Sequence, residues 1–377
     1  MHREDEAIRA PKRALFIVNA LGGGGAERMC VTLASYLSMS MDVDLVTIYG
    51  FDVEDYAVPE GIHFYSLGMN REVQGTARVS QIFKAVTRLN EIVSNCEREG
   101  KYSLITAHLT AAHVVASLSN IRNRCLYVHH SLISKLANYV SDRYPLHYRL
   151  FYRRMYKNKK CVAVSSGVMD QLVKLFGVSS ANVTTIYNPV DCSEIFLKTK
   201  EKVPFNKPYI ACIGRLEPGK RPDRMIQIFL EGKLHERFDL VFVGQGSLEQ
   251  KLREWAFNSG YSSQIHFPGF AKNPYTWMAH SSVMVMTSDR ESFANVVVEG
   301  IVSGARVVCG DCECGPREIM TGPYARYLVT LDDINAYIQA IESALHSYPN
   351  ISKEFIERFD TPSIASQYQD FYIRAFM

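Results

Sequence analysis

The sequence predicts an α/β protein of two domains, each with a parallel sheet covered by helices. Short apolar runs alternate with helical patterns along the 377 residues, and this alternation is typical of parallel sheets with helices packed on them. The length and a hydrophobic content of 47% suit two domains that each bury a core. A polar stretch at residues 192–206 has no strong period, so we place the first domain at 1–195 and the second at 196–360.

The strands are predicted from apolar runs of strand length. Helical patterns lie between them, so consecutive strands are expected to be parallel. The runs lie near residues 14–19, 43–49, 103–107, 125–129 and 161–164 in the first domain, and near 209–213, 239–243, 264–267, 282–286 and 306–309 in the second.

Composition limits the class of protein. The nine cysteines lack the spacing of a secreted scaffold, so we expect reduced thiols in a cytoplasmic protein. Cys309, Cys312 and Cys314 cluster, but a structural zinc site needs four ligands, which disfavours zinc here. The N-terminus does not have the pattern of a secretory signal, and no run approaches a membrane-spanning length.

Two glutamates, Glu291 and Glu299, lie eight residues apart across a predicted strand-to-helix transition. At this spacing they cannot share one metal without distortion, so we interpret them as separate acceptors of hydrogen bonds from hydroxyls. A ligand that combines hydroxyls with phosphates is a sugar nucleotide. Taken alone, such a pair is more often two solvated charges at the end of a helix.

The segment between these glutamates is predicted to bind a phosphate. The run Val296–Val302 has the length of a covered helix, and Ser292 is predicted as its N-cap. The backbone N–H groups near Ala294 and Asn295 would then point at an incoming anion, and the helix dipole would add to the attraction.

A second cationic loop follows the apolar run at 209–213. Ligands of open α/β sheets bind just past the ends of strands, which is where Gly214–Pro222 lies. Arg215 can donate two hydrogen bonds to a diphosphate, and Lys220 adds a second cation from the same loop. The alternative is that both are ordinary loop cations beside nearby carboxylates.

A glycine run follows the first strand, where Gly22–Gly25 opens a helix. Glycine lets the backbone approach a ligand closely. The spacing does not fit the dinucleotide fingerprint, and no acidic ribose partner is evident at the end of the second strand, so NAD binding is disfavoured.

Histidines end a strand of the first domain, within Tyr127–Ser131. A histidine at a strand end can donate a hydrogen bond to a sugar oxygen. Strand alternation would place either His129 or His130 in the core. We interpret His108 and His113 as structural.

A basic and aromatic segment, Arg143–Lys160, contains no acidic residue. Basic side chains attract anionic lipid headgroups, and tyrosines prefer the membrane interface, so the segment predicts peripheral binding to an anionic membrane. A helix that packs its aromatic side on the sheet would give the same pattern. Nucleic acid is disfavoured because the net charge is only +3 and no binding motif accompanies the segment. The residues expected to face the membrane are Arg149, Arg153, Arg154 and Lys157.

Taken together, these motifs resemble the retaining glycosyltransferases of family 4, which have the two-domain GT-B fold. The resemblance spans nearly the whole chain. It rests on Gly24–Arg28, Val162–Ser165 with Tyr187–Asp191, Gly214–Lys220, Val243–Gly246 and the pair Glu291 and Glu299.

The resemblance implies two Rossmann-like domains that face each other across a cleft, with a last helix, 362–376, crossing back to the first domain. It also implies that Arg215 and Lys220 hold the donor diphosphate, that Glu291 lies by the donor sugar and that Glu299 binds the ribose. His130 would point at the donor sugar because Ser131 follows it. The implied donor-binding residues are Gly24, Gly25, Gly214, Gly244, Gly269, Phe270, Phe293, Ala294, Asn295, Val296 and Glu299.

The expected activity is transfer of a hexose or N-acetylhexosamine, with retention and without a metal, from a nucleotide sugar that we expect to be UDP-linked. Retention is expected through attack on the same face, while Glu291 as a nucleophile stays open. The segment Cys314–Ile319 resembles that of transferases of bacterial surface polysaccharide, so we expect an acceptor on polyprenyl diphosphate at the inner face of the cell membrane. The alternatives are an epimerase or phosphorylase of the same fold, or a non-catalytic subunit that binds sugar nucleotides.

Overall fold

The computed structural model describes residues 12–22, 24–50, 57–131 and 146–377. The chain divides into two compact units, and each is an α/β unit with a parallel sheet, which confirms the predicted fold class. The first unit contains the chain up to Val164, residues 168–189 and residues 361–377. The second contains residues 165–167 and 190–360.

The first unit is built on a seven-stranded sheet in the order β3-β2-β1-β4-β5-β6-β7. All of its neighbouring strands are parallel. The order reverses beside β1, so the ligand position of a doubly wound sheet is the carboxyl edge at β1 and β4. The strands are β1 (Arg13–Val18), β2 (Asp42–Tyr49), β3 (Ile62–Met69), β4 (Tyr102–His108), β5 (Leu126–His129), β6 (Cys161–Ala163) and β7 (Val183–Thr185).

The second unit is built on a six-stranded sheet in the order β10-β9-β8-β11-β12-β13, again with parallel neighbours. Its order reverses between β8 and β11, which places the loops that follow these two strands side by side. The strands are β8 (Tyr209–Ile213), β9 (Asp239–Val243), β10 (Ile265–Gly269), β11 (Val283–Met286), β12 (Val307–Gly310) and β13 (Leu328–Val329).

Helices connect these strands. Those of the first unit are α1 (Gly25–Ser38), α2 (Gly75–Cys96), α3 (Thr110–Leu118), α4 (Leu146–Tyr156), α5 (Ser166–Phe176) and α14 (Thr361–Phe376). Those of the second are α6 (Cys192–Lys198), α7 (Pro222–Glu231), α8 (Glu249–Asn258), α9 (Pro274–Ala279), α10 (Asn295–Val302), α11 (Pro316–Ile319), α12 (Ile334–His346) and α13 (Lys353–Phe359).

The sequence prediction missed three strands. In β3 exposed and half-exposed residues interrupt the apolar pattern, because this strand lies at the edge of its sheet. The other two, β7 and β13, have only three and two residues, which is too short for a periodic signal.

The boundary between the two units also differs from the predicted position at residue 195. The chain leaves the first unit after Pro189 and returns to it at residue 361. The helix α6 packs against α9 and α10 and therefore belongs to the second unit. The last helix, α14, packs against α1 and β4 of the first unit, as the resemblance implies.

The core of each unit is the sheet sandwiched by its helices. Residues 14–18 of β1 are completely buried, as expected for the central strand of a parallel sheet covered on both faces. Arg13, the first residue of this strand, forms an ion pair at 3.2 Å with the buried Asp44. The hydroxyl of Tyr102 also donates a hydrogen bond to Asp44. This ion pair satisfies two charges that would be costly to bury alone.

All nine cysteines are free thiols. Burial raises the pKa of Cys312 to about 12, so this thiol is protonated at neutral pH. The described residues contain no group of three or more His, Cys, Asp or Glu that could hold a metal ion. Within the same ranges, no helix has the length and apolar character needed to cross a bilayer.

Candidate active site

The predicted glycines end three neighbouring strands of the second unit. Gly214 follows β8, Gly244 follows β9 and Gly269 ends β10, with φ angles of 145°, 143° and 83°. These left-handed conformations favour glycine. A Cβ at Gly244 would lie 2.0 Å from the carbonyl oxygen of Gly214, so the loops after β8 and β9 are in direct backbone contact.

The loop of residues 214–221, here called the Lys220 loop, presents a free cation. Arg215 is exposed, and its guanidinium makes no hydrogen bond or ion pair with any residue that the structure describes. Two hydrogen bonds join this loop to the loop after β9. Leu216 donates its N–H to the carbonyl of Gln245 at 2.9 Å, and the carboxylate of Glu217 accepts from the Ser247 hydroxyl at 2.7 Å. Arg215 is therefore available to a ligand at the carboxyl edge of the sheet.

The second predicted cation, Lys220, contacts the carboxylate of Glu291. The side chain of Glu291 is only 10% exposed, so this pair lies inside the unit rather than on its surface. Glu291 belongs to residues 287–294, here called the Glu291 loop, which follow β11. The two loops predicted to bind the donor are thus brought together.

Backbone contacts join the same two loops. Asp289 donates its N–H to the carbonyl of Gly219 at 3.1 Å. The hydroxyl of Thr287 donates to the carbonyls of Lys220 and Arg221, at 3.2 and 2.8 Å. The distance between the cation and the carboxylate is therefore set by the chain itself and not by the two long side chains alone.

The start of α10 differs from the prediction. The N-cap is Ala294 and not Ser292, and Ala294 is left-handed with φ 75° and ψ 59°. The chain turns there because Phe293 is buried, at 2% exposure, and its carbonyl oxygen lies against the backbone of Gly315. The prediction of Ser292 as N-cap was wrong, because the chain enters the helix two residues later, at Ala294.

The helix that follows carries the remaining predicted residues. Asn295 and Val296 form the first turn of α10, where the helix dipole favours an anion. Glu299 lies one turn further and is buried, with 9% exposure. Phe270 follows β10 at the same edge of the sheet and is 72% exposed, which leaves its ring open to stack on a flat ligand.

In the first unit, the glycine run opens α1. The helix begins at Gly25 with Gly24 as its N-cap, while Gly23 lies outside the described residues. A Cβ at Gly24 would lie 2.3 Å from Oε2 of Glu27. The carboxylate of Glu27 thus already lies at this end of the helix, where it interacts favourably with the dipole.

The strand-end histidines separate as predicted. His129 ends β5 and is buried, at 7% exposure, whereas His130 follows the strand and is partly exposed. The ring of His130 bonds through Nε2 to Nδ1 of His108 at 2.9 Å, and His108 bonds through Nε2 to Thr106 at 2.9 Å. Burial, with the charge of His113, lowers the pKa of His130 to about 3, so its ring is neutral at pH 7.

His108 is thus the direct partner of His130, which the sequence analysis missed. Its position contains a signal that could have revealed the contact. His108 ends β4, and β4 and β5 are parallel neighbours with His108 beside Val128. Residues at the carboxyl ends of neighbouring parallel strands meet at one edge of the sheet.

His113 connects this edge to α4. Its Nε2 lies 2.9 Å from the carbonyl oxygen of Ala107, so Nε2 carries the hydrogen. Its Nδ1 must then accept, and the hydroxyl of Tyr156 donates to it at 2.8 Å. Burial lowers the pKa of His113 to about 4, which agrees with a neutral ring.

A small cavity of about 40 Å³ lies beside these rings, which is room for about one or two water molecules. Nε2 of His129 and Nδ1 of His130 are buried and have no hydrogen-bond partner among the described residues. The cavity is lined by Leu109, Thr110, His113, Val128, His129, His130, Ser131, Tyr152, Tyr156 and Phe176.

The helix α4 has a buried aromatic face and an exposed basic one. Tyr152, Met155 and Tyr156 are buried against the unit, which agrees with the packing alternative. Arg143 and Tyr144 of the predicted segment lie outside the described residues. The outer surface also exposes two large apolar side chains, at 56% and 51%, Leu150 and Phe151. The exposed cations are Arg149, Arg153, Arg154 and Lys157.

Two parallel-sheet units, with cationic and acidic loops at the carboxyl edge of the second sheet, have the architecture expected of a glycosyltransferase of the GT-B class. Two family models match the chain in succession, "Glycosyltransferase Family 4" at residues 23–194 and "Glycosyl transferases group 1" at residues 194–359. The two models together cover residues 23–359, so the chain belongs to glycosyltransferase family 4, as predicted.

Curated relatives agree with this assignment. The chain is 26% identical over 373 residues to the Campylobacter jejuni N-acetylgalactosamine-N,N'-diacetylbacillosaminyl-diphospho-undecaprenol 4-alpha-N-acetylgalactosaminyltransferase, with 94% of this chain and 97% of the relative covered. It is 24% identical to the lipopolysaccharide 1,6-galactosyltransferase of Salmonella typhimurium, with 62% of this chain and 68% of the relative covered.

Solved structures show the same fold. A Rickettsia africae glycosyltransferase matches with a TM-score of 0.73 and 17% identity, over 97% of this chain and 98% of the other. Anabaena HepE, in complex with UDP, matches with a TM-score of 0.69 and 18% identity, over 96% of this chain and 100% of the other.

Proposed function

We propose that this protein is a retaining glycosyltransferase that moves a hexose or N-acetylhexosamine from a UDP-sugar to a glycan on polyprenyl diphosphate, in assembly of a cell-surface polysaccharide. The observation that carries the proposal is the contact of Lys220 with Glu291, beside the exposed Arg215. One edge of one sheet thus offers cations for a diphosphate and a carboxylate for a sugar hydroxyl.

The leaving diphosphate sets the electrostatic task. When the bond from the anomeric carbon to the phosphate oxygen breaks, negative charge develops on that oxygen, and fixed positive groups nearby lower the barrier. Arg215, Lys220 and the first turn of α10 supply such groups. Because these groups can neutralise the diphosphate without a divalent ion, we propose that transfer does not require a metal.

The carboxylates serve the sugar side. In this proposal Glu291 accepts a hydrogen bond from a donor-sugar hydroxyl and Glu299 accepts from the ribose. Donation from His130 to a sugar oxygen would require its ring to leave its present position, because Nε2 bonds to His108 and Nδ1 is buried. The acceptor hydroxyl attacks the face that the diphosphate leaves, and its proton passes to the departing phosphate oxygen. One C–O bond forms as another breaks, and the anomeric configuration is retained.

The relatives support the donor and acceptor classes. The name of the Campylobacter jejuni relative specifies transfer of N-acetylgalactosamine to a sugar on diphospho-undecaprenol, and that of the Salmonella typhimurium relative specifies a galactosyl group. HepE was also solved with UDP-glucose. For this chain we therefore propose a UDP-linked donor and a polyprenyl-diphosphate acceptor.

A polyprenyl carrier is held in a membrane, so the protein has to reach that surface. The exposed cations and apolar side chains of α4 fit an anionic lipid surface, because the cations attract headgroups while Leu150 and Phe151 can enter the interface. We propose peripheral binding through α4 at the cytoplasmic face of the cell membrane.

The test is nucleotide release from a panel of UDP- and GDP-sugars, with and without a polyprenyl-diphosphate-linked N-acetylhexosamine, in the presence of EDTA. The proposal predicts UDP release that depends on the acceptor and an α-linked product from an α-linked donor. An inverted product, or a requirement for a divalent ion, would overturn the mechanism. A changed sugar nucleotide without acceptor would instead indicate an epimerase, and dependence on inorganic phosphate a phosphorylase.

A further inference from the structure

A buried arginine lies directly behind the donor loops of the second unit. Arg224, in the first turn of α7, is 2% exposed. Its guanidinium donates to the carbonyl oxygen of Thr287 at 2.7 Å, to the carboxylate of Asp289 at 2.8 Å and to Asp332 at 2.9 Å. The guanidinium therefore reaches three separate points of the second unit.

Packing alone does not explain a charge at this position. The neighbouring buried residues of α7 are apolar, namely Met225, Ile226, Ile228 and Phe229. A buried guanidinium has to be desolvated, and an apolar side chain of similar volume often fills such a site at no loss of stability. The hydrogen bonds made by Arg224 therefore call for another explanation.

Two of its three partners belong to the Glu291 loop. Thr287 and Asp289 lie four and two residues before Glu291, while Arg224 begins the helix that follows the Lys220 loop. Asp289 also forms an ion pair with Arg221 at 3.4 Å. Its carboxylate therefore contacts two cations, Arg221 of the Lys220 loop and Arg224 of the helix that follows that loop. This network crosses from one donor loop to the other.

We infer that Arg224 and Asp289 are positioning residues that hold the Lys220 loop against the Glu291 loop, so that both loops keep the geometry that a donor requires. The inference rests on the proposed function of the same site. Neither side chain touches the donor in this role, and both act through Lys220 and Glu291. A displacement of about 1 Å in such groups can lower a rate by two orders of magnitude.

The third partner supplies a matched control. Asp332 bonds the same guanidinium, but it follows β13 and lies outside both donor loops. Its side chain is 89% exposed and that of Asp289 is 38% exposed. In both Asp289→Asn and Asp332→Asn, an uncharged side chain of the same shape replaces a carboxylate that solvent reaches. Each substitution removes one carboxylate from Arg224, and only D289N alters the link between the loops.

The experiment compares wild type, D289N and D332N for turnover of the active UDP-sugar, for UDP affinity and for the midpoint of thermal unfolding. We expect kcat to fall at least tenfold in D289N with UDP affinity within about threefold, and D332N to stay within twofold of wild type in both. Equal losses in the two variants, or a loss in D289N matched by a lowered unfolding midpoint, would overturn positioning in favour of a structural role.

A double-mutant cycle separates this inference from the proposed function. If Asp289 acts through Lys220, D289N should cost much less in a Lys220→Met background than in wild type, because residues of one network are not additive. Full additivity would overturn the inference while leaving the function intact. Failure of wild type to bind UDP would overturn both, since the site would then not be a donor site.

Discussion

Lys220 and Glu291 form an ion pair although they lie 71 positions apart in the chain. Each comes from a loop that follows one of two adjacent strands, β8 and β11, at the point where the strand order reverses. In a doubly wound sheet this is the position at which ligands bind. Because the carboxylate is largely buried, the pair also fixes the charge balance of the site before a donor arrives.

Removal of the cations tests the diphosphate role. Arg215→Ala and Lys220→Ala should each lower kcat by about a hundredfold, which is the typical effect of one fixed donor to a developing anion. The R215A variant should leave stability unchanged because the Arg215 side chain is exposed and makes no hydrogen bond or ion pair to the described part of the chain. Release of UDP from the active donor measures both rates.

The control for this experiment is Lys251→Ala. Lys251 is an exposed cation of the same unit, on α8, and its loss changes the net charge by the same amount. We expect wild-type turnover for K251A. Near wild-type rates in both R215A and K220A would contradict the diphosphate role.

The second prediction concerns the close approach of two loops. Gly244→Ala should abolish donor turnover, because its Cβ would lie 2.0 Å from the carbonyl oxygen of Gly214 and would force the loop that carries Arg215 away. Gly219→Ala, in the Lys220 loop itself, would place its Cβ more than 4 Å from every described residue other than its neighbours in the chain and should be tolerated. Turnover by both variants, with circular dichroism as a check of folding, measures the contrast, and an active G244A would show that the contact is dispensable.

These contrasts show which features the sequence could predict. The second sheet and the loops of Arg215, Lys220 and Glu291 could be predicted, because apolar runs and their ends are local signals. The left-handed cap at Ala294 could not, because it depends on contact of the neighbouring Phe293 with Gly315, which is remote in sequence.

The same reason explains the missed partner of His130. The bond to His108 depends on strands β4 and β5 being neighbours, and a sequence without that pairing shows only isolated histidines. The edge strand β3 was missed for a different cause, since its half-exposed pattern has no continuous apolar run. Tertiary pairing therefore decides the histidine contact, whereas the position of β3 at the edge of its sheet decides its exposure pattern.

The third prediction concerns the strain stored at Ala294. An alanine with φ 75° costs about 1–2 kcal/mol relative to a right-handed conformation, and glycine avoids that cost. Ala294→Gly should therefore change the free energy of unfolding by less than about 0.5 kcal/mol, since relief of strain offsets the lost methyl group and the greater freedom of the unfolded chain. Ala256→Gly, in the right-handed helix α8, should cost about 1–2 kcal/mol. Denaturant unfolding measures both, and equal costs would show that Ala294 is unstrained.

The fourth prediction is a pH dependence of stability from the buried histidines. Burial lowers the pKa of His113 to about 4 and of His130 to about 3, and it lowers the pKa of His129 as well. Their folded forms are neutral, whereas in the unfolded chain they bind protons below about pH 6.5. The stabilisation is therefore complete above about pH 6.5 and is lost as the pH falls toward 4, at up to about 1.4 kcal/mol per pH unit for each histidine.

A single substitution isolates this effect from the titration of carboxylates. His129→Leu removes one buried ring whose Nε2 has no hydrogen-bond partner in the described structure, so it should flatten the pH slope between 4 and 6.5 by up to about 1.4 kcal/mol per unit. The neighbouring titratable groups are His113, His130 and Tyr156, and they remain in place. Urea unfolding at several pH values provides the measurement, and identical slopes for H129L and wild type would contradict the prediction.

The fifth prediction concerns the basic face of α4. Replacing the three exposed cations of α4 and the adjoining Lys157 by glutamine should weaken binding to vesicles that contain anionic lipid at least about a hundredfold, because each cation near such a surface contributes about 1 kcal/mol. Flotation with vesicles of phosphatidylglycerol and phosphatidylcholine measures it. Binding by wild type should also weaken as salt rises, since the Debye length shortens to about 3 Å at 1 M. The residues replaced are Arg149, Arg153, Arg154 and Lys157.

A matched variant decides whether position or net charge matters. Four exposed lysines of the second unit, replaced by glutamine, remove the same charge from elsewhere and should leave flotation unchanged. Turnover of a soluble acceptor analogue should be unaffected in both variants, because α4 contributes its cations to the lipid surface and its tyrosines to the interior. Unchanged flotation of the α4 variant would remove α4 as the membrane contact, and equal losses in both variants would show that only total charge matters. The control residues are Lys233, Lys251, Lys272 and Lys353.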